Sequence, residues 1–372
     1  MIYLDNAATT KPSIEAIKSA ERILTENFYN PSSTCQVGID CKKIIETSRE
    51  KIAKTFPSVY EVVFTGSGSE ADNTAIFSFA RRGNAITTLG EHSAVHESFK
   101  EIKKRGIEVR FASLNEDGSV NVDSLLSLVD DKTSFVSVVH VNNETGAIND
   151  INAIAKKIKA KNDKVIFHSD GVQAYQKIPY MLNEAVDLYS ISAHKINGLK
   201  GVGALVKRKK ISLNPLIFGG GQENGIRSGT ENVYGIDIFA SVTVSHTQNL
   251  RKDYAFVKEL KKLFIDNLDK DNVKIISKEN SSPYILSLSA VGLRGEVIMH
   301  MMEEFGVIIG TGSACSSRNR FSRILKECGF DNSVLDGALR ISFSRDNTKE
   351  EILYSVEKLN ECIKKLKGIM YK

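Results

Sequence analysis

The sequence predicts an α/β protein: a large domain on a mostly parallel seven-stranded sheet, joined to a smaller α+β domain. Three observations predict it. The middle of the chain alternates short β-branched runs with helical patterns, which is how a parallel sheet covered on both faces reads. The pattern changes after about residue 245, where helices dominate and strands become sparse. At 372 residues the chain is long enough for two cores.

Taken in order, a helical stripe of Val37, Cys41, Ile44, Ile45, Ile52 and Phe56 precedes the first strand. The predicted strands are 62–65, 85–88, 109–112, 135–141, 165–168, 188–191 and 203–206. Beyond them a charged helix is expected over 246–269, then a strand over 284–289, a helix over 296–305 and a strand over 340–344. A last amphipathic helix follows Thr348, with Glu351 completing a capping box. The expected division is 12–250 for the large domain, and 1–11 plus 251–372 for the small one.

Composition narrows the function classes. The chain is 41% hydrophobic and 26% charged, with a net charge of +5. That is ordinary for a soluble globular protein and too mild to argue for nucleic acid. No apolar run reaches the length of a membrane span, and the start does not read as a secretion signal, so a cytoplasmic protein is expected. Five scattered cysteines without a CxxC pair argue against a disulfide framework and against a zinc site.

In doubly wound sheets, ligands sit beyond the C-terminal ends of the strands. His92, Asn143, Asp170 and Lys195 fall there. A lysine just after one strand and an acid just after another suit pyridoxal 5'-phosphate. The lysine takes the cofactor's aldehyde, and the acid keeps the ring nitrogen protonated so that the ring can accept electrons. Thr65–Glu70 follows a strand and opens a helix, so its glycines, helix terminus and Ser69 hydroxyl can cradle a phosphate. A histidine at 92 can stack on a ring and shuttle protons. Asn143 can bond a cofactor oxygen. Arg340 can grip a carboxylate with two parallel hydrogen bonds or serve a structural ion pair. Cys315 stands in a small, polar, glycine-rich segment near Arg318, Arg320 and Arg323, which favour a thiolate.

Together these runs resemble the cysteine desulfurases of the NifS/IscS type, in the class V aminotransferase group of fold-type I pyridoxal phosphate enzymes. The resemblance runs from Tyr3–Thr10 and Phe28–Ser33 through Glu91-His92, His140–Glu144 and the Asp170 and Lys195 runs. It ends with Gly219–Glu223, Arg227–Thr230, Gly312–Cys315 and Arg340. It implies that Lys195 holds the cofactor, Asp170 its ring nitrogen, Gln173 its phenolic oxygen, and Gly68, Ser69, Ser192 and His194 its phosphate. His92 stacks and moves protons, and Thr230 reaches the phosphate of a neighbouring subunit in a homodimer. Asn30, Asn143 and Arg340 hold the L-cysteine substrate, and Cys315 accepts its sulfur for an acceptor protein of iron–sulfur assembly or tRNA thiolation. The chain departs from the family at Gly66–Ser69, at Asn197–Lys200 and in the basic stretch after Cys315. A selenocysteine lyase, another class V aminotransferase and a non-catalytic scaffold remain open readings.

Overall fold

The computed structural model describes residues 1–311 and 321–370. Its centre is a seven-stranded sheet. In spatial order the strands are Tyr60–Thr65, Gly203–Arg208, Leu188–Ser192, Ile166–Asp170, Thr133–Ser137, Asn84–Thr88 and Glu108–Ala112. Gly203–Arg208 runs antiparallel to both its neighbours, and the remaining pairs are parallel. Helices cover both faces, so Phe135, Val136, Phe167 and Ile191 are fully buried. That double burial is why these runs read as continuously apolar.

Three details differ from the sequence reading. The strand expected over 135–141 leaves regular pairing after Ser137. The chain continues beside its neighbour through Val138 N to His168 O at 3.1 Å and His140 N to Asp170 O at 2.9 Å. This carries Asn142 and Asn143 past the sheet edge. The helix expected over 246–269 begins at Val233 and ends at Asp266. Its first half is buried nearly all round, including Ile236, Ile238, Phe239, Ala240 and Val242, so it lacks the one-sided stripe by which helices are recognised. The third concerns the helix that Thr65–Glu70 opens: it begins only at Gly68, with Ser67 as its cap and Ser69 within its first turn.

This long helix links two apolar cores. Val233 to Val242 pack with the large sheet, whereas Val257, Leu260 and Phe264 pack in a second core with Leu286, Ile341 and Val356. The second core surrounds a four-stranded sheet whose central strands are Ile285–Ser289 and Ala338–Ser342. The N-terminal strand Ile2–Tyr3 pairs in parallel with Val307–Ile308 on that side. The closing helix, Lys349–Met370, begins with the capping box read from sequence. Glu351 N donates to Thr348 Oγ1, and Thr348 N donates to Glu351 Oε2, both at 3.2 Å. Among the described residues no helix is long and apolar enough to cross a membrane.

Candidate active site

The strand ends open onto a cavity of about 290 Å³. Asp170 ends one strand, and its backbone pairs with Ser190 on the next. That next strand ends at Ser192 and turns through Ala193–Lys195. Neighbouring strands thus bring Asp170 and Lys195 to one wall. Lys195 Nζ donates to the carbonyls of Ala7 at 2.6 Å and Ala8 at 2.7 Å. Asp170 is 5% exposed and accepts from Val172 N at 2.9 Å. Burial pushes its carboxyl up, while His92, the Val172 amide and Lys195 pull it back. The residue after it must be glycine, because a Cβ at Gly171 would lie 1.9 Å from the Tyr189 ring.

A second wall comes from the helix Gly68–Phe79. Ser67 Oγ accepts from Glu70 N at 3.1 Å, and Glu70 Oε2 accepts from Gly66 N at 2.8 Å. The cap spends those donors and leaves the Gly68 and Ser69 amides, which have no partner within the helix, at the cavity. A Cβ on Gly68 would sit 2.7 Å from Val172 Cγ2, so glycine lets the helix end approach closely. Beside it the Ser192 hydroxyl is buried without a partner. His194 Nδ1 lies 3.1 Å from Thr9 Oγ1. Burial, then Lys195, Lys177 and Lys200, hold His194 neutral, down to about 3.

His92 caps the helix Ser93–Lys104, with Nδ1 accepting from Ala94 N at 3.2 Å. Burial lowers its pKa against the pull of Asp170, and Lys195, Arg323 and Arg340 lower it further. A neutral ring in this setting carries its proton on Nε2. Asn143 lines the cavity with a buried Oδ1 that has no partner. Arg340, 2% exposed, donates from Nη1 to Asn143 O at 3.0 Å and from Nη2 to Asp5 Oδ1 at 2.8 Å. Arg340 is therefore ion-paired, as one of its two sequence readings had it, and it also lines the cavity. Gln173 also lines the cavity and donates from Nε2 to Ala7 O at 2.9 Å.

Not every expected residue converges here. Thr230 and Asn30 are exposed and lie away from the cavity of their own chain. Cys315 lies outside the described residues, as do Arg318 and Arg320. Arg323, expected to favour a thiolate, donates to the carbonyls of Leu89 and Glu91. Cys41, Cys328 and Cys362 are buried thiols, pushed up by burial.

The sequence reading gave no individual role to Asp5, Ala7, Thr9 or Asp72. The first three lie in the quoted run Tyr3–Thr10: Ala7 acts through its backbone carbonyl, which no residue type announces, and Asp5 and Thr9 through side chains whose partners, Arg340 and His194, lie far along the chain. Asp72 did leave a signal: it is an acid beside Ala71, Ala75 and Ile76, all fully buried on one helix.

The donor set fits pyridoxal 5'-phosphate. A buried carboxyl with no ion pair among the described residues suits a protonated ring nitrogen. The partnerless Ser192 hydroxyl and the two first-turn amides suit a phosphate. The Asn143 amide oxygen and Gln173 amide face the space between.

Residues 2–354 match the family model of the class-V aminotransferases. A cysteine desulfurase IscS of Dictyoglomus turgidum is 36% identical, over 99% of this chain and 96% of the relative. A solved structure described as a NifS-like protein superposes with a TM-score of 0.91 at 33% identity, covering 98% of this chain and 99% of that one. Another, SspA in complex with cysteine, gives 0.80 at 26% identity, covering 94% and 100%. Full-length matches of this kind carry the fold-type I architecture and the dependence on pyridoxal phosphate with them. The chain belongs to the class-V aminotransferase family, among its cysteine desulfurases of the IscS and NifS kind.

Proposed function

We propose that this protein is an L-cysteine desulfurase that uses pyridoxal 5'-phosphate. It releases L-alanine, keeps the sulfur on Cys315 as a persulfide, and passes it to an acceptor protein of iron–sulfur assembly or tRNA thiolation. The observation that carries this reading is the pairing of Lys195 and Asp170 on adjacent strand ends of one cavity. Lys195 would hold the aldehyde carbon, Asp170 the ring nitrogen and Gln173 the phenolic oxygen. Gly68, Ser69, Ser192 and His194 would hold the phosphate. When bound, the cofactor supplies an electron sink conjugated to the substrate's α-carbon.

The chain's own residues do the rest. Arg340 takes the substrate carboxylate, aided by Asn143; its Nε is buried without a partner, which supports that use. Lys195 Nζ removes the α-proton, and the neutral His92 moves protons through Nε2. The Cys315 sulfur attacks the substrate sulfur. A sulfur–sulfur bond forms and the carbon–sulfur bond breaks. Its electron pair passes to the β-carbon, which takes up a proton, and alanine leaves. Thr230 is exposed and away from its own cavity, which supports service to a neighbouring subunit in a homodimer, and Asn30 follows the same reasoning. Free thiols at Cys35, Cys41, Cys328 and Cys362 support a reducing, cytoplasmic setting.

The test is product analysis with L-cysteine. Alanine should appear in step with protein-bound persulfide, mapped to Cys315. The Cys315→Ala protein should keep its visible cofactor band and lose sulfur transfer. A Cys315→Ala protein that transfers sulfur at the full rate removes the assigned acceptor, and a folded protein that never binds the cofactor removes the enzyme.

A further inference from the structure

Behind the cavity lies a lysine that the chemistry above does not use. Lys177 is 4% exposed. Gly171 to Lys177 form consecutive turns, with Tyr175 N donating to Gly171 O at 2.8 Å and Lys177 N donating to Ala174 O at 3.0 Å. The turns bring side chains 173 and 177 together. Lys177 Nζ donates to Gln173 Oε1 at 3.1 Å. On its other side it lies 5.8 Å from the centre of the Tyr284 ring, which belongs to the second core.

We propose that Lys177 is a positioning residue for the reaction, orienting and polarising the Gln173 amide so that a strengthened N–H faces the cofactor's phenolic oxygen. This rests on the reading that Gln173 serves that oxygen.

The orientation follows from donor and acceptor inventory. A lysine only donates, so the Gln173 atom that it meets is the oxygen. The Ala7 carbonyl only accepts, so the atom that it meets is Nε2, at 2.9 Å. An amide nitrogen has two hydrogens. Ala7 takes one and the other is left on the cavity side, which Gln173 lines. A cation on Oε1 withdraws electron density through the amide and makes that N–H a better donor. Charge points the same way. Burial first, then the charges of Lys195 and Arg340, push Lys177 down to about 7. His194 and His246 also feel its charge and are held neutral. The surroundings named here are cationic or neutral, and a phenolic oxygen on the cavity side supplies the missing anion.

The experiment titrates the visible band of the cofactor-loaded protein with pH. Losing the cation and weakening the donor both favour a proton on the Lys195 nitrogen. Lys177→Met should therefore move the midpoint up by about half a unit or more. Lys177→Gln keeps a donor on Oε1 without the charge, and its midpoint should fall between wild type and Lys177→Met. A Lys177→Met protein with an unchanged midpoint overturns the proposal even if its melting temperature falls, because that is what a purely structural lysine would give. Should Lys177→Met fail to fold, Lys177→Gln decides: a raised midpoint supports the role and an unchanged one overturns it. Gln173→Ala separates the two levels. If its band matches wild type, the reading of Gln173 itself fails; if only the Lys177 variants match wild type, the failure is that of Lys177.

Discussion

The cavity has two kinds of wall. On the sheet side, Asp170, Ser192 and Lys195 stand at the ends of adjacent strands, and the backbone ladder sets their spacing. On the opposite side, residues 5–9 and Arg340 come from the ends of the chain. Their backbones are anchored in the small sheet, by the ladder around Arg340 and a bridge from Asp5 to Ser342, but few side-chain bonds set their side chains against the cavity: Asp5 to Arg340 at 2.8 Å, Gln173 to Ala7 at 2.9 Å and Thr9 to His194 at 3.1 Å. A ladder spreads its support over many bonds, so changing one side chain leaves the wall standing. Side chains that meet from distant segments lose their mutual placement when one partner goes. The chemistry should therefore be separable from stability on the first wall and inseparable from it on the second.

The largest expected effect tests the first half of that statement. Lys195→Ala removes the covalent anchor and the base together, and turnover should fall by roughly 10³-fold or more. The lysine amine also donates to the Ala7 and Ala8 carbonyls of the N-terminal segment, while the strand end that carries it keeps its ladder, so the fall in melting temperature should be small beside the fall in rate. Steady-state rates and a thermal melt on the same preparation check both. A melt that collapses along with the rate would show that the sheet wall is as fragile as the other.

The two walls also differ in how far the sequence exposes them. The seven strands were readable because burial on both faces selects unbroken β-branched and aromatic runs. Asp170 and Lys195 were readable because each follows such a run directly. The start of the helix at Val233 was hidden, since a helix buried all round shows no stripe. On the opposite wall Arg340 itself was legible, but its partners were hidden for another reason. Arg340 meets Asp5 across nearly the whole chain, and no local pattern encodes a contact that distant. Ala7 and Ala8 contribute carbonyl oxygens, which any residue would bring. In sequence Lys177 carries no mark of its own, and only the packing of Tyr284 and Gln173 around it makes it distinctive.

The second half of the comparison is broken or sharpened at Asp5. Asp5→Ala leaves the Arg340 guanidinium buried, with Nε already partnerless and the Asn143 carbonyl as a remaining acceptor. Removing one member of a buried ion pair strands the other charge, so the loss should be about 3 kcal/mol, measured by urea unfolding. Activity should fall with it, because Arg340 no longer has a fixed position. Asp5→Asn retains an acceptor and should recover part of both. If Asp5→Ala unfolds at the wild-type midpoint while activity falls, the bond tunes Arg340 without holding the wall, and the contrast narrows to chemistry alone.

Behind the sheet wall the support is polar as well as backbone, and pH reads it. His168 is buried between the hydroxyls of Ser137 at 2.9 Å and Ser190 at 3.0 Å, and burial holds it down to about 3. Asp72 lies 3.5 Å away, but burial and Asp170 push its carboxyl well up, so the contact is neutral rather than an ion pair. Glu91 accepts from Thr88 Oγ1 at 3.0 Å and from Val139 N at 2.9 Å, while its Oε2 is buried without a partner. Burial raises it to about 8. The signs are opposite. The fold refuses a proton at His168 that the unfolded chain accepts below about 6.5, so that residue costs stability as pH falls from there to about 3. The fold keeps a proton at Glu91 that the unfolded chain releases near 4.5, so Glu91 costs stability as pH rises from there to about 8. Each slope is at most roughly 1.4 kcal/mol per pH unit. Glu91→Gln removes the second slope while keeping an acceptor for Thr88 and Val139. Urea unfolding between pH 5 and 8 should show the variant gaining on wild type steadily toward the alkaline end, with no matching gain on the acid side, where His168 still acts. Parallel curves would mean that Glu91 is ionised in the fold, leaving a buried carboxylate oxygen without a donor directly behind the His92 loop.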